Sequence, residues 1–172
     1  MFGLGYFNVS EIFSTVILLG GNVAFAYSEG ISNNSLQQVQ QLEQGQNSLE
    51  GVKIGEPIQD ILANYGTPLY SFSTDGKRHY YEFNKDNGVL VITADGEKNN
   101  GHIIGVSMSY NQFDGPSYDE VKNIVGDNAN AKLEINPING SFGYIQSGKV
   151  AYQFGFDFAS DKELKLYRID IR

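Results

Sequence analysis

The 172-residue chain contains no cysteine and no tryptophan, and its two histidines are His79 and His102. Without cysteine it can form no disulfide, no thiolate metal site, no cysteine nucleophile and no lipid-modified N-terminal cysteine. Two imidazoles are too few for a histidine-rich zinc site. We therefore expect neither a metal nor another cofactor.

Positive charge is also scarce. Twelve Lys and Arg against 20 Asp and Glu give a formal net charge of −8, and no base precedes Lys53. Nucleic-acid binding by phosphate neutralisation needs a basic face, so this composition excludes a nucleic-acid partner. The base-free first 52 residues, which carry only Glu11, Glu29, Glu43 and Glu50 as acids, also mark a boundary ahead of the folded domain.

The most apolar run, Ile12–Ala26, is 15 residues long, shorter than the ~20 residues that a membrane span needs. It ends in Ala24-Phe25-Ala26, a small-x-small pattern typical of signal-peptide cleavage. We expect residues 1–26 to be a signal peptide cleaved after Ala26, although its start, Met1–Glu11, lacks the usual base. The mature protein would then be extracellular or attached to the cell envelope, with no membrane span. An amphipathic or buried N-terminal helix is the alternative.

Residues 27–50 are polar, and six of the ten residues 37–46 are Gln. Leu36, Val39 and Leu42 have helical spacing, but three apolar side chains bury little surface. We interpret 27–50 as a polar linker with some helical tendency.

Residues 51–172 contain a pattern that repeats after sixty positions. The repeated positions are Ile58, Ile61, Tyr65 and Gly66, which recur as Tyr118, Val121, Val125 and Gly126. This spacing predicts two halves, 51–112 and 113–172, each opening with a short helix. Pro57 suits the start of the first helix, a Ser117-x-x-Glu120 capping box suits the second, and a Gly ends each.

Three strand-like runs follow each helix. They are His79–Phe83, Val89–Ala94 and Ile103–Tyr110, then Phe142–Ile145, Val150–Phe158 and Leu166–Ile171. Asp86-Asn87-Gly88 and Ser147-Gly148-Lys149 are turn signals that predict hairpins. The predicted fold is α+β, with two tandem α-β-β-β repeats that form an antiparallel sheet and place short helices on one face.

Strand alternation predicts which residues face the helices. The expected core set is Tyr152, Phe154, Phe156 and Phe158, with Leu90, Ile92, Ile104, Val106, Met108, Tyr110, Tyr167, Ile169 and Ile171. The opposite, polar face would carry Tyr80, Glu82, Thr93, Ser107, Ser109, Gln153, Asp157, Arg168 and Asp170. Such a face is ordinary in an antiparallel sheet, and it is also our candidate surface for binding a partner.

Four segments carry a family resemblance: 51–55 (GVKIG), 61–68 (ILANYGTP), 118–126 (YDEVKNIVG) and 154–158 (FGFDF). They resemble the YjgB-like family of Bacillus and its relatives, a domain family of unknown function. The resemblance implies an exported protein built from tandem helix-plus-sheet modules of the β-lactamase-inhibitor-protein type. It implies no catalytic residues.

Motifs for chemistry are weak. Residues 143–149 match the start of a phosphate-binding loop, but Val150 replaces the required Ser or Thr and enters a strand, which favours a hairpin. Residues 95–101 depart from a calcium loop in the position of Gly, so we expect a solvated turn. We expect both histidines to be exposed in loops. Asp119 and Glu120 suit the first turn of a helix, where they favour the helix dipole.

These observations predict an exported, non-enzymatic module that binds a protein or cell-envelope component through its sheet face or loops. Two alternatives stay open. One is a membrane-associated structural protein that retains its N-terminal segment, and the other is a hydrolase whose site matches no familiar motif.

Overall fold

The computed structural model describes residues 34–136, 140–156 and 163–172. The predicted signal peptide 1–26, the first part of the predicted linker, Asp157 and Phe158 lie outside these ranges. The described residues belong to one compact unit. Its class is α+β, as predicted, with short helices and one large antiparallel sheet.

The described elements follow one another in a simple order. They are α1 (Leu36–Glu43), β1 (Ser48–Leu49), β2 (Val52–Lys53), α2 (Ile58–Tyr65), β3 (Leu69–Phe72), β4 (His79–Lys85), β5 (Gly88–Ala94), β6 (Ile103–Tyr110), α3 (Tyr118–Val125), β7 (Asn130–Glu134), β8 (Phe142–Ser147), β9 (Val150–Gly155) and β10 (Lys165–Ile171).

Eight strands form the large sheet in the order β3-β4-β5-β6-β10-β9-β8-β7, and every neighbouring pair is antiparallel. Each half of the chain therefore supplies a helix and four strands, and the halves meet where β6 pairs with β10. The prediction of three strands per half is wrong. It missed β3 and β7, the edge strands, whose largely exposed residues show no buried–exposed alternation. The sequence repeat itself stays a prediction.

Helices α2 and α3 form as the sequence predicts. Ile58, Ile61 and Val121 are buried. Ser117 accepts from the Glu120 backbone while Glu120 accepts from the Ser117 backbone, so the capping box is complete. Gly66 follows α2 at a φ of 83°, a conformation that costs glycine little.

The interpretation of residues 27–50 as a linker is wrong for its described part. Val39 and Leu42 of α1 are buried in the same apolar cluster as the sheet. The Glu43 carboxylate accepts hydrogen bonds from the Tyr152 hydroxyl at 2.7 Å and the Ser147 hydroxyl at 2.6 Å. Because these partners lie more than a hundred residues away, the composition of the segment could not reveal them.

Buried side chains and two hydrogen bonds to Glu50 attach the hairpin formed by β1 and β2 to the rest of the fold. Leu49 and Val52 are buried, and the turn between them places Glu50 at a φ of 51°. The Tyr110 hydroxyl donates to the Glu50 carboxylate at 3.0 Å, and the Tyr65 hydroxyl donates to the Glu50 carbonyl at 3.0 Å. Burial and the negative charge of Glu50 raise the pKa of Tyr110, which keeps the hydroxyl a donor.

The buried face of the sheet follows the predicted alternation except at two bulges. Leu90, Ile92, Tyr152 and Phe154 are buried as expected. The register shifts between Leu166 and Arg168, so Leu166 occupies the core position that the sequence assigned to Tyr167. A similar shift at Thr93/Ala94 buries Ile103 in place of Ile104. Phe156 is half-buried at the end of β9.

The prediction of an exposed loop position is correct for His102 and wrong for His79. His79 is buried at the start of β4, where its Nδ1 lies 2.8 Å from the Tyr70 hydroxyl and its Nε2 lies 3.1 Å from the Gly96 carbonyl. The ring also stacks on Tyr70. His79 is buried because Tyr70 packs against it, and Tyr70 belongs to strand β3, which the sequence did not predict.

Candidate functional site: the open face of the sheet

The face of the large sheet that points away from the buried cluster carries all the described residues of the predicted polar set. We call it the open face. The sheet register arranges them in three neighbouring rows: Tyr80 and Thr93; then Glu82, Val91, Ser107 and Asp170; then Val89, Ser109, Arg168 and Gln153. Asp157 lies outside the described residues. Eight of the nine residues that the sequence predicts for this face therefore lie on it, even though the edge strands were not predicted.

A hydrogen-bonded ion pair occupies the middle of the open face. Arg168 Nη2 donates to Asp170 Oδ1 at 2.8 Å, and Arg168 Nε lies 3.1 Å from both carboxylate oxygens. The remaining end of the guanidinium, Nη1, donates to Ser109 Oγ at 3.3 Å, and Gln153 Nε2 donates to Asp170 Oδ2 at 3.1 Å. Four strand residues therefore form one connected polar network.

The network keeps both members of the pair charged. Asp170 is only 8% exposed, and burial alone would raise its pKa. Hydrogen bonds from Arg168, Ser107 and Gln153 outweigh burial and hold the pKa of Asp170 below its ordinary value. The hydrogen bond to Asp170 in turn raises the pKa of Arg168. A carboxylate with this many donors is suited to a fixed charge, not to proton transfer.

An aromatic cover closes one end of the open face. The bulge in β10 turns Tyr167 onto this face, where its hydroxyl lies 3.4 Å from Gln153 Oε1. Phe113, from the loop after β6, packs against Tyr167 with ring centroids 5.1 Å apart. Gly155 makes room for this contact, because a Cβ there would lie 2.8 Å from the Phe113 ring.

At the other end of the open face, the side chains do not form such a network among the described residues. The side chains of Tyr80, Glu82 and Thr93 are half-buried, and they make no hydrogen bond to another residue of the described part of the chain. They lie on β4 and β5, beyond the ion pair. This end therefore offers an aromatic ring, a carboxylate and a hydroxyl without internal partners among the described residues.

Several residues of the open face were missed by the sequence. Strict strand alternation predicts three of them, because each is next to a core residue in its strand: Val89, Val91 and Tyr144. Tyr167 and Phe113 could not be found in this way. A bulge reverses the side to which Tyr167 points, and Phe113 belongs to a loop.

The weak chemical motifs have structural roles. Residues 143–149 run along β8 into the hairpin to β9, as predicted. Asp95 accepts a hydrogen bond from the His102 backbone at 2.9 Å across the turn between β5 and β6. Within the described ranges, no group of three or more His, Cys, Asp or Glu side chains is placed to hold a metal ion. Among the helices of the same ranges, none is long and apolar enough to cross a membrane.

Comparison with known proteins gives one family. A family model described as SA0570-like matches residues 9–172. No curated protein and no solved structure matches the chain. The match does not support the YjgB-like name or the relationship to the β-lactamase-inhibitor protein that the sequence resemblance implied. Because the matched range covers nearly the whole chain, the protein belongs to the SA0570-like family.

Proposed function

We propose that this protein is an exported, non-enzymatic module whose open face binds a protein of the cell envelope or of the medium. One observation carries the proposal. The open face crosses the full width of the sheet, while the buried side chains of all three described helices belong to the cluster on the other side. A broad antiparallel face that the described helices leave uncovered suits a macromolecular partner.

The residue types on the open face favour a protein partner. Tyr144 lies in the same row of the sheet as Arg168, Tyr167 is its neighbour in β10, and Tyr80 lies at the other end of the open face. Tyr and Arg are the residues that most often dominate the binding energy of protein interfaces. Val89 and Val91 add apolar surface between them. Because Arg168 is already held by Asp170 and Ser109, it would meet a partner without losing side-chain freedom.

Two further observations support the non-enzymatic and exported parts of the proposal. The most buried acid on the open face, Asp170, is saturated with donors, and its lowered pKa disfavours general acid or base catalysis at neutral pH.

Export is supported by the apolar run Ile12–Ala26 and its Ala24-Phe25-Ala26 ending. Intact-mass measurement on secreted protein tests export, and the proposal expects a mature N-terminus at Tyr27.

Site-specific photo-crosslinking tests the binding face. A benzoylphenylalanine at Tyr80 should capture one dominant protein when full-length chain is expressed in its native host. The matched control is the same probe at Asp119, which is exposed on α3. The proposal expects no such adduct from Asp119. The same set of adducts from both positions would contradict a specific open-face interaction.

A double lysine variant, made in the chain that carries the probe at Tyr80, tests the same surface. Glu82→Lys combined with Thr93→Lys should abolish capture of the partner, because both side chains lie on the free end of the open face. These residues make no internal hydrogen bonds among the described residues, so the melting temperature should change little. Retention of the partner by a folded double variant would rule out this end of the face.

A further inference from the structure

We propose that the outer edge of β3 pairs with β3 of a second copy of this chain, so that the two sheets join across a two-fold axis. This interaction surface is the backbone edge of the sheet, which adjoins the open face, since Leu69 lies opposite Glu82 and Ser71 opposite Tyr80. It goes beyond the proposed function. Three features of β3 support this pairing: its exposed apolar side chains, the direction of its unpaired backbone groups, and a register in which the strand complements itself.

Strand β3 is exposed, apolar and uncharged. Its residues are Leu69, Tyr70, Ser71 and Phe72; Leu69 is 66% exposed and Phe72 is 63% exposed. Soluble proteins usually protect edge strands with charges, bulges or covering segments. The opposite edge strand, β7, carries Lys132 and Glu134. The two edges thus differ, because no residue of β3 itself is charged, although Lys98 Nζ lies 4.3 Å from the centroid of the Tyr70 ring.

The backbone of β3 presents its free groups at two residues. Ser73 donates from its backbone to the Arg78 carbonyl at 2.9 Å, so this pair is hydrogen-bonded. Bonded pairs alternate along an antiparallel ladder. By this alternation Ser71 and Leu69 bond to β4, while the N–H and C=O groups of Tyr70 and Phe72 point away from the sheet. No other described residue pairs with this side of β3.

One antiparallel register satisfies all of these groups at once. If two copies meet with Ser71 opposite Ser71, each Tyr70 lies opposite the partner's Phe72. Both copies then use their outward backbone groups, which makes four hydrogen bonds, and the two aromatic pairs lie on the same side of the joined sheet. Tyr70 and Phe72 already stack within one chain, with centroids 6.2 Å apart. A one-residue shift would place the outward groups of Tyr70 and Phe72 opposite residues whose backbone groups already bond to β4, so these hydrogen bonds would not form.

The two-fold arrangement also closes on itself. Pairing of β3 with β7 of the next copy would be a head-to-tail contact, which gives a larger ring or an open filament and not a closed dimer. It would also place Lys132 and Glu134 beside an apolar strand. The symmetric pairing uses the uncharged edge twice and leaves the charged edges outermost.

Cysteine crosslinking tests this register directly, because the chain has no cysteine of its own. In the proposed register Ser71 faces its counterpart at a non-bonded position, where Cα atoms lie about 4.5 Å apart, within reach of a disulfide. Full-length Ser71→Cys should form a covalent dimer under mild oxidation. Leu69→Cys is the matched control, since it is more exposed than most of the strand but lies opposite Ser73. We expect its crosslinking to be at least about tenfold slower.

Sedimentation of the full-length chain provides the second readout. The unmodified protein should show a monomer–dimer equilibrium that depends on concentration. Phe72→Lys should be monomeric with an unchanged circular dichroism spectrum, because position 72 is exposed. Leu133→Lys, at an exposed position on β7, should still dimerise.

Three results would overturn the proposal. The first is a chain that stays monomeric at all concentrations. The second is equal crosslinking of Ser71→Cys and Leu69→Cys, which indicates random collision. The third is loss of association in Leu133→Lys, which indicates pairing between β3 and β7.

Discussion

At the scale of single residues, the decisive feature is the Arg168–Asp170 pair in the middle of the open face. Sequence alternation placed both residues on one face with Gln153 and Ser109, and the structure links the four side chains through hydrogen bonds. Alternation alone could not show that the charges satisfy each other, because this depends on the distances between three strands. It also could not place Tyr167, which a bulge moves across the sheet.

The pair gives a pH prediction. The pKa of Asp170 is lower in the folded chain than in the unfolded chain, so its contribution to stability is complete above the unfolded pKa of about 3.9 and is lost as the pH falls through the folded value. Asp170→Asn should lower the free energy of unfolding at pH 7 by about 2 kcal/mol. This is less than the loss expected when a fully buried ion pair is broken, because Arg168 is partly exposed. The difference from wild type should shrink at pH 3.

Denaturant unfolding at the two pH values measures this difference. Asp127→Asn is the matched control, because its ion pair with Lys122 spans 3.9 Å and Asp127 is fully exposed. It should change the stability little at either pH. An Asp170→Asn defect of equal size at pH 3 and pH 7 would show that the carboxylate charge is not what stabilises the fold.

At the scale of elements, the sequence located α2 and α3, which carry complete local signals, and gave α1 only a helical tendency within a linker. Ile58, Ile61 and Gly66 define α2 by spacing and a stop residue, and Ser117 with Glu120 defines α3 by its cap. Helix α1 has an N-cap, Ser35, whose side chain accepts from the Gln38 backbone, but four of its eight residues are Gln and only Val39 and Leu42 are buried apolar residues. Its stability comes from contacts that are distant in sequence, as in the Glu43–Tyr152 hydrogen bond.

The role of α1 gives a stability prediction. Val39→Ala should lower the free energy of unfolding by about 2 kcal/mol, since it removes fully buried methyl groups. Gln40→Ala, at an exposed position of the same helix, should be neutral or slightly stabilising because Ala favours helices. Chemical denaturation of both variants measures the contrast. Equal effects would support a linker that takes no part in the core.

At the scale of the whole molecule, two four-stranded halves share one core. They meet where β6 pairs with β10, and Met108 lies opposite Ile169 with both side chains buried. Fold class and the hairpins around Gly88 and Gly148 followed from the sequence. The full width of the sheet did not, because strands β3 and β7 lie at exposed edges and lack the alternation that marks the inner strands.

A shared core predicts that the halves unfold together. Met108→Ala should cost about 2–4 kcal/mol and lower the midpoint of a single transition, because both halves contribute to one apolar cluster. Thermal unfolding followed by near- and far-UV circular dichroism measures this. Two separate transitions, only one of them moved by the substitution, would show that the halves are independent domains.

The open face, which the described helices leave uncovered, is proposed to bind a protein. Photo-crosslinking at Tyr80 and at Asp119, in full-length chain expressed in the native host, compares the two sides of the fold in one experiment. The account predicts a dominant adduct from Tyr80 that is absent from Asp119 and is lost in the Glu82→Lys, Thr93→Lys variant. Adducts that form equally from both positions, or persist in the folded variant, would contradict it.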